Sequence, residues 1–333
     1  MLRVERFGIA GFGGRGRLIA RKLTDFGFDV VGVHDSNPAQ LANAQFRTFR
    51  DLDDLIKLDP DMLMVTSWPS SHAAMTEKAL EQGLDVFVEK PMGASLAESL
   101  QIVRAQRRAG RLVAVGYVER LNPAIIKLQE ISDAADVVSS REIRIGLTPP
   151  TYEPGVLLDL GSHGIDMAHH LFAKEPKVRS ASLTAEEQGR PEYECVIELD
   201  LGDTHSYVEA RYGNIRRRRL ELETDYEYYE ITYTPASLKI GLPPPKLRKR
   251  PRNFEDLEQL SKNVETTLDL PRKEPINVML QDLAESLRKG SVMDPLCTAD
   301  QALVTAKAID EVKKTATHRY VKKPAARLET ETE

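Results

Sequence analysis

Asp159 and His163 stand four residues apart in a helix-compatible stretch from Leu157 to Phe172, a spacing that sets both side chains on one helical face about one turn apart. An imidazole with an ordinary pKa near 6.5 is matched to accepting a proton at neutral pH, and a carboxylate one turn away is placed to steer it. Lys90 follows a short apolar run, Asp85 to Glu89, that reads as a buried parallel strand. A lysine at the carboxyl end of such a strand points into the crevice where open α/β sheets bind ligands, and its ammonium can stabilise an alkoxide or a carbonyl oxygen. The three residues suit the oxidation of a secondary alcohol, with His163 as base, Lys90 as the cation facing the oxygen and Asp159 as support. The same helical face continues to Asp166 and His170, but a straight helix spreads these four side chains over about 16 Å at 1.5 Å per residue, too far to converge on one ion. No metal is expected there. Asp166 is expected to meet a substrate hydroxyl or a structural partner, and His169 and His170 to lie at the helix surface or a domain contact.

Such an oxidation needs a hydride acceptor, and the first glycine turn supplies a place for one. Gly11-Phe12-Gly13-Gly14-Arg15-Gly16 follows the strand-like run Phe7 to Ala10 and leads into a helix-compatible stretch from Arg15 to Phe26. Gly11 permits a tight turn, Gly13 lets the backbone approach a pyrophosphate, and Gly16 lets helix and strand pack closely. The pyrophosphate then sits over the free N–H groups of the helix start. Asp35 ends the next strand-like run, 19 residues after Gly16, where a carboxylate accepts hydrogen bonds from both hydroxyls of an adenosine ribose. Its charge repels a 2′-phosphate, so NAD is the expected cofactor; Arg15 and Arg17 keep NADP as the alternative.

These residues need elements to hold them, and 333 residues give room for about two domains. The first third alternates short apolar runs (Phe7 to Ala10, Asp29 to Val33, Met62 to Thr66, Asp85 to Glu89, Leu112 to Gly116) with helix-like stretches (Arg15 to Phe26, Ala73 to Gln82, Ser95 to Ala109). This is the pattern of a doubly wound parallel sheet of Rossmann type. Beyond Tyr117 come helix-like segments at Pro123 to Ile131 and Leu157 to Phe172. Five strand-like segments follow: Tyr193 to Leu201, Ser206 to Tyr212, Arg217 to Glu223, Tyr226 to Tyr233 and Ser237 to Ile240. Strands joined so tightly are expected to be antiparallel. With further helices at Val278 to Lys289 and Ala299 to Lys314, the second part reads as an α+β domain on a large open, mainly antiparallel sheet. The expected division is 1–120 for dinucleotide binding, 121–328 for substrate binding and oligomerisation, and 329–333 as an acidic tail.

Composition narrows the function classes. Hydrophobic residues make up 41% and charged residues 29%, apolar runs fall far short of membrane-spanning length, and the net charge of −5 offers no global positive field to nucleic acid. Neither a nucleic-acid nor a membrane partner is expected. Cys195 and Cys297 form no C-x-x-C pair and no signal-peptide pattern opens the chain, so a cytoplasmic location is the default expectation. The segment from Gly241 to Arg252, with Pro243, Pro244 and Pro245 ahead of Lys246, Arg248, Lys249, Arg250 and Arg252, reads as a solvated loop or as a clamp for a phosphorylated ligand.

Four stretches agree in order and spacing with one family. Glu89-Lys90-Pro91, the Thr66 to His72 segment, the Gly116 to Pro123 crossover and Asp159-Leu160-Gly161-Ser162-His163 together resemble the glucose-fructose oxidoreductase and inositol dehydrogenase family. The resemblance implies that Ser67, Trp68, His72, Glu89 and Lys90 lie beside the cofactor. It further implies that Tyr117, Glu119, Arg120, Asn122, Asp159 and His163 line the pocket of a small-molecule substrate. For Trp68 a core place is an equal alternative, and for Arg120 a structural ion pair. Within the family, Glu119-Arg120-Leu121-Asn122-Pro123-Ala124, and Pro149-Pro150 ahead of Gly155 to Leu160, resemble the group that oxidises the 3-hydroxyl of UDP-N-acetylglucosamine; Leu121 departs from the Phe usual there. A UDP-sugar diphosphate would need cations from Arg216 to Arg219 or from Lys246 to Arg252, and strand alternation lets at most half of the first run face one ligand. An inositol or free-sugar dehydrogenase is the second reading. A dinucleotide-binding regulator is the third, disfavoured because a sensor needs no proton acceptor. Family analogy also implies a homo-oligomer, dimer or tetramer, built through the outer face of the second sheet.

Overall fold

The computed structural model describes residues 4–149, 154–241 and 266–321. The basic stretch from Pro243 to Arg252, Pro150 and the tail 329–333 lie outside them. Among the described residues the chain forms two sheets. The first contains β1 (Arg6–Ala10), β2 (Asp29–His34), β3 (Thr48–Phe49), β4 (Met62–Val65), β5 (Asp85–Val88) and β6 (Val113–Val115), all parallel, in the order β6-β5-β4-β1-β2-β3. Between them run α1 (Gly14–Asp25), α2 (Pro38–Leu41), α3 (Leu52–Ile56), α4 (Pro69–Glu81) and α5 (Leu96–Ala109). Every residue of β4 and β5 is buried, which is why each reads as an unbroken apolar run rather than an alternating one. Local chemistry sets the helix ends: Ser95 caps α5 through the Glu98 N–H, and Gly110 stops it at φ 62. The sheet order reverses between β1 and β4, and at this switch point a cleft opens beyond the strand carboxyl ends.

The second sheet is built from β7 (Val137–Leu147), β8 (Lys177–Ala185), β9 (Glu194–Asp200), β10 (His205–Gly213), β11 (Arg217–Thr224), β12 (Tyr228–Tyr233), β13 (Ala236–Gly241), β14 (Thr266–Leu268) and β16 (Thr317–Tyr320), in the order β14-β13-β12-β11-β7-β10-β9-β8-β16. The tightly joined strands run antiparallel as expected, but β10 and β11 are not hydrogen-bonded neighbours. β7 lies between them, parallel to β10 and antiparallel to β11, and residues 214–216 arch over its end at Leu147. The sequence hides β7 because its inward positions carry Ser140, Glu142 and Arg144, all buried, so polar residues occupy the face where an alternating pattern calls for apolar ones.

α6 (Pro123–Ile131) and α7 (Ser162–Phe172) cover the inner face of this sheet. A Cβ on Gly164 of α7 would come within 2.5 Å of a Val208 methyl, so the helix lies directly on β10. The stretch read as one straight helix from Leu157 begins instead with a π-helical turn, Leu157–Gly161.

Residues beyond Pro275 do not all stay with the second sheet. α8 (Pro275–Lys289) buries Met279, Leu280, Leu283 and Ala284 against Phe7, Ile9, Ile19 and Leu23 of the first layer. β15 (Cys297–Thr298) pairs antiparallel with β6 at the edge of the first sheet. α9 (Ala299–Thr315) then spans both bodies, giving Ala299 and Ala302 to one core and Ala308, Ile309 and Val312 to the other. No helix among the described residues is long and apolar enough to cross a membrane.

Candidate active site

The glycine turn has the geometry a dinucleotide requires. Gly11 sits at φ +97, and a Cβ there would lie 2.5 Å from the Ser67 nitrogen; a Cβ on Gly16 would lie 2.0 Å from the Gly11 carbonyl oxygen. Both positions therefore admit only glycine. Gly13 and Gly14 face open space, with nothing within 4 Å of an added Cβ. α1 starts at Gly13 with no side-chain cap and no acidic residue in its first turn, leaving its first N–H groups to an anion. Asp35 closes the turn from the neighbouring strand: Oδ2 accepts from the Phe12 N–H at 2.8 Å and Oδ1 from the Asn37 N–H at 2.9 Å. These residues fit a bound dinucleotide. Phe12 contributes its main chain only, since its ring is buried between Phe46 and the Arg17 guanidinium. Of the two arginines that kept NADP open, Arg15 is drawn away to Glu89, whereas Arg17 donates to the Gln40 carbonyl on the segment that follows Asp35.

A cavity of about 410 Å³ opens where the two bodies meet, with Lys90 from the end of β5 on one side and Asp159 and His163 on the other. The Lys90 ammonium donates to the Asp159 carbonyl oxygen at 2.7 Å and to Oδ1 at 3.0 Å, and the Tyr212 hydroxyl donates to Oδ2 at 3.2 Å. The carboxylate expected to steer the imidazole is thus committed elsewhere. The π-helical turn displaces Asp159 from a regular α-helical relation to His163, and Lys90 and Tyr212 hold it. His163 Nδ1 is buried with no hydrogen-bond partner among the described residues, and the ring packs edge-on against Tyr117 at 5.9 Å between centroids. Burial first, then the charges of Lys90, Arg144, Arg218 and Arg15, hold its pKa well below 6.5, so the imidazole is neutral. Glu89 lies beneath Gly116, where a Cβ would come within 2.8 Å of Oε2, and it accepts from Arg15 and from the Lys90 N–H.

The remaining expected residues divide between cleft and scaffold. Glu119 lines the cavity and accepts from Arg218 at 2.9 Å. Tyr117 does not line it; its ring is buried behind His163. Arg120 is buried and clamps Asp166 through two hydrogen bonds of 2.9 and 2.6 Å, with a third to Gln301 at 2.8 Å, so both Arg120 and Asp166 are structural. Asn122 is the cap of α6, accepting from the Ala124 N–H and donating to the Tyr233 carbonyl, and has no place in the pocket. His72 is fully buried between the two loops that flank the cleft, its ring nitrogens 3.0 and 2.9 Å from the carbonyls of Ser67 and Pro91, and as a neutral imidazole it donates to one of them. Trp68 is 68% exposed at the start of α4, which excludes the core alternative, and Ser67 beside it bonds Ser71. The sequence reading missed Tyr212 and the buried set Glu142, Arg144 and Tyr233. Arg144 Nε lies 2.7 Å from Glu142 Oε1, and its guanidinium stacks over the Tyr233 ring at 4.9 Å. Their only sequence signal is charge at the inward positions of β7.

Comparison with known proteins bears on the fold and on the first domain. Residues 5–117 match the model of an oxidoreductase family with an NAD-binding Rossmann fold. The UDP-N-acetylglucosamine 3-dehydrogenase of Acidithiobacillus ferrooxidans is 24% identical over 240 residues, 71% of this chain and 76% of that protein. Inositol 2-dehydrogenase 3 of Saccharopolyspora erythraea is 29% identical over 230 residues, 62% of this chain and 68% of that one. A solved structure of UDP-N-acetylglucosamine 3-dehydrogenase from Acidithiobacillus ferrooxidans aligns over 95% of this chain and 98% of its own, with a TM-score of 0.80 at 19% identity. A 3-ketoreductase of Actinomadura kijaniata, in complex with TDP-benzene and NADP, aligns over 96% and 99% with a TM-score of 0.81 at 15% identity; likenesses this remote speak for the fold. Residues 5–117 thus carry the NAD-binding Rossmann fold of this oxidoreductase family, and the chain is similar over most of its length to named dehydrogenases.

Proposed function

We propose that the protein is an NAD-dependent dehydrogenase that oxidises a ring hydroxyl of a nucleotide sugar, with UDP-N-acetylglucosamine the first substrate to test. One observation carries this reading: a lysine ammonium from the end of a parallel strand and a neutral, buried imidazole from the other body line one cavity beside the glycine turn. When bound, the oxidised nicotinamide supplies the acceptor for the hydride that leaves the carbinol carbon. His163 takes the hydroxyl proton as the carbonyl forms and passes it to solvent. Lys90 donates a hydrogen bond to the substrate oxygen while negative charge develops on it, and Asp159, fixed by Tyr212, holds the ammonium in place. The Asp35 carboxylate at the ribose end supports NAD over NADP.

The 29% identity to an inositol 2-dehydrogenase favours inositol or a free sugar as the second reading. Incubation with NAD or NADP and a panel of UDP-sugars, inositols and free sugars, followed by the near-ultraviolet absorbance of reduced nicotinamide, separates the two. Silence throughout, with cofactor binding demonstrated, would overturn both in favour of a sensor. The reading includes a reducing, cytoplasmic compartment, supported by two unpaired buried cysteines. It also includes a homo-oligomer packed through the outer face of the second sheet, supported by Val196 and Tyr207, each about two-fifths exposed there.

A further inference from the structure

We propose that Arg216 and Arg218 form an anion subsite in the catalytic cavity that takes a phosphate-ester group of the substrate. This rests on the reading that the cavity holds the substrate. Alternation along β11 sets the geometry. Leu220, Leu222 and Thr224 face the core, while Arg219 points to the other face and pairs with Glu221 and Glu230. Continuing the inward column toward the start of the strand gives Arg218 and then Arg216, and both line the cavity. Arg217 belongs to the opposite parity and does not.

The charges around the cavity do not balance. Among the described residues, four cationic side chains line it against three carboxylates. Three pairs are closed within the protein: Arg15 with Glu89, Lys90 with Asp159, and Arg218 with Glu119 at 2.9 Å. Arg216 makes no ion pair or side-chain hydrogen bond among the described residues. Glu119 is also shared, because the fully buried Arg144 approaches the same Oε1 to 3.6 Å. Among the described residues Arg218 engages Glu119 through one terminal nitrogen only, so two guanidinium groups present further donors to one cavity. Paired guanidinium donors match phosphate oxygens in geometry and charge, whereas a neutral polyol would leave the excess positive charge uncompensated. A substrate carrying a diphosphate or a sugar phosphate supplies the missing anion.

The test measures binding apart from turnover. With the protein saturated by NADH, so that the glycine turn is occupied, UDP, N-acetylglucosamine 1-phosphate and free N-acetylglucosamine are titrated calorimetrically. The titrations are repeated on Arg216→Gln, Arg218→Gln and the opposite-face control Arg217→Gln, with thermal denaturation reporting folding. UDP or the sugar phosphate is expected to bind the parent protein, to weaken at least tenfold in Arg216→Gln, and to change less than twofold in Arg217→Gln. Tighter binding of UDP than of the sugar phosphate would assign the nucleotide diphosphate to the subsite; the reverse order would assign the sugar phosphate. Binding of either anion unchanged by Arg216→Gln and Arg218→Gln, or weakened equally by Arg217→Gln, would overturn the subsite. Failure of the dehydrogenase reading looks different: anion binding would depend on Arg216 while no substrate reduced NAD. Oxidation of a neutral polyol with a KM unchanged in Arg216→Gln, and no anion binding, would overturn the subsite and leave the dehydrogenase standing.

Discussion

Burial and four nearby cations all oppose a second proton on His163, so this imidazole stays neutral, as the proposed base must, at pH values where an exposed histidine has already protonated. As the folded pKa is depressed, kcat/KM is expected to stay level as pH falls through 6.5 and to decline only further into the acid range. An acid limb centred at 6.5 or above, in a pH–rate profile, would contradict the assignment. The same depression carries a stability consequence. Below pH 6.5 the unfolded chain gains a proton at His163 that the folded chain does not, so folding stability is lost as pH falls beneath that value. His163→Ala is expected to lower kcat by about 10²–10⁴ while NADH affinity, read by fluorescence titration, stays within about twofold. Lys90→Met removes the donor to the developing oxyanion and is expected to lower kcat by about 10²–10³.

Two glycines of the nucleotide turn separate folding from binding. A methyl at Gly16 meets the Gly11 carbonyl oxygen, so Gly16→Ala should reduce both Tm and NADH affinity, at a stability cost of about 1–3 kcal/mol or more. At Gly13 the protein offers no obstacle, so Gly13→Ala should leave Tm unchanged and weaken cofactor binding alone. Equal loss of Tm in the two variants would mean that the turn does not approach a ligand as described. In the 3₁₀ turn Val118–Leu121 that leads into α6, Arg120 binds α7 through Asp166 and α9 through Gln301. Arg120→Ala leaves Asp166 buried without its cation, an expected loss of about 3–5 kcal/mol in denaturant unfolding.

Across the whole molecule, α8 and α9 bind the two bodies into one, because α8 completes the core on one side of the first sheet and α9 contributes to the cores of both. The cavity walls therefore come from two bodies with a shared helix between them, which is how residues as far apart in sequence as Lys90 and Asp159 reach hydrogen-bond distance. Burial pushes the thiols of Cys195 and Cys297 upward in pKa, so neither is expected to react with a thiol reagent in the native protein, and both in denaturant. Tyr207→Glu, on the outer face of the second sheet, is expected to shift sedimentation toward a smaller species while far-ultraviolet dichroism is retained.

What the chain states locally is read correctly from its residues: the buried runs of β4 and β5, the helix from Ser95 to Ala109, the glycine turn and the strand segments from β9 to β13 each depend on neighbours within a few positions. The presence of Lys90, Asp159 and His163 was legible for the same reason. Their partners were not. Tyr212 reaches Asp159 from β10, Arg120 finds Asp166 across the crossover, and β7 slips between β10 and β11 with charged residues facing inward. Hydrophobic periodicity records which face of an element is buried, but it carries no record of what buries it, and a charged residue at an inward position erases even that signal. Tertiary packing decided that the pair at i and i+4 would be split, with Asp159 given to the lysine and His163 left neutral among cations.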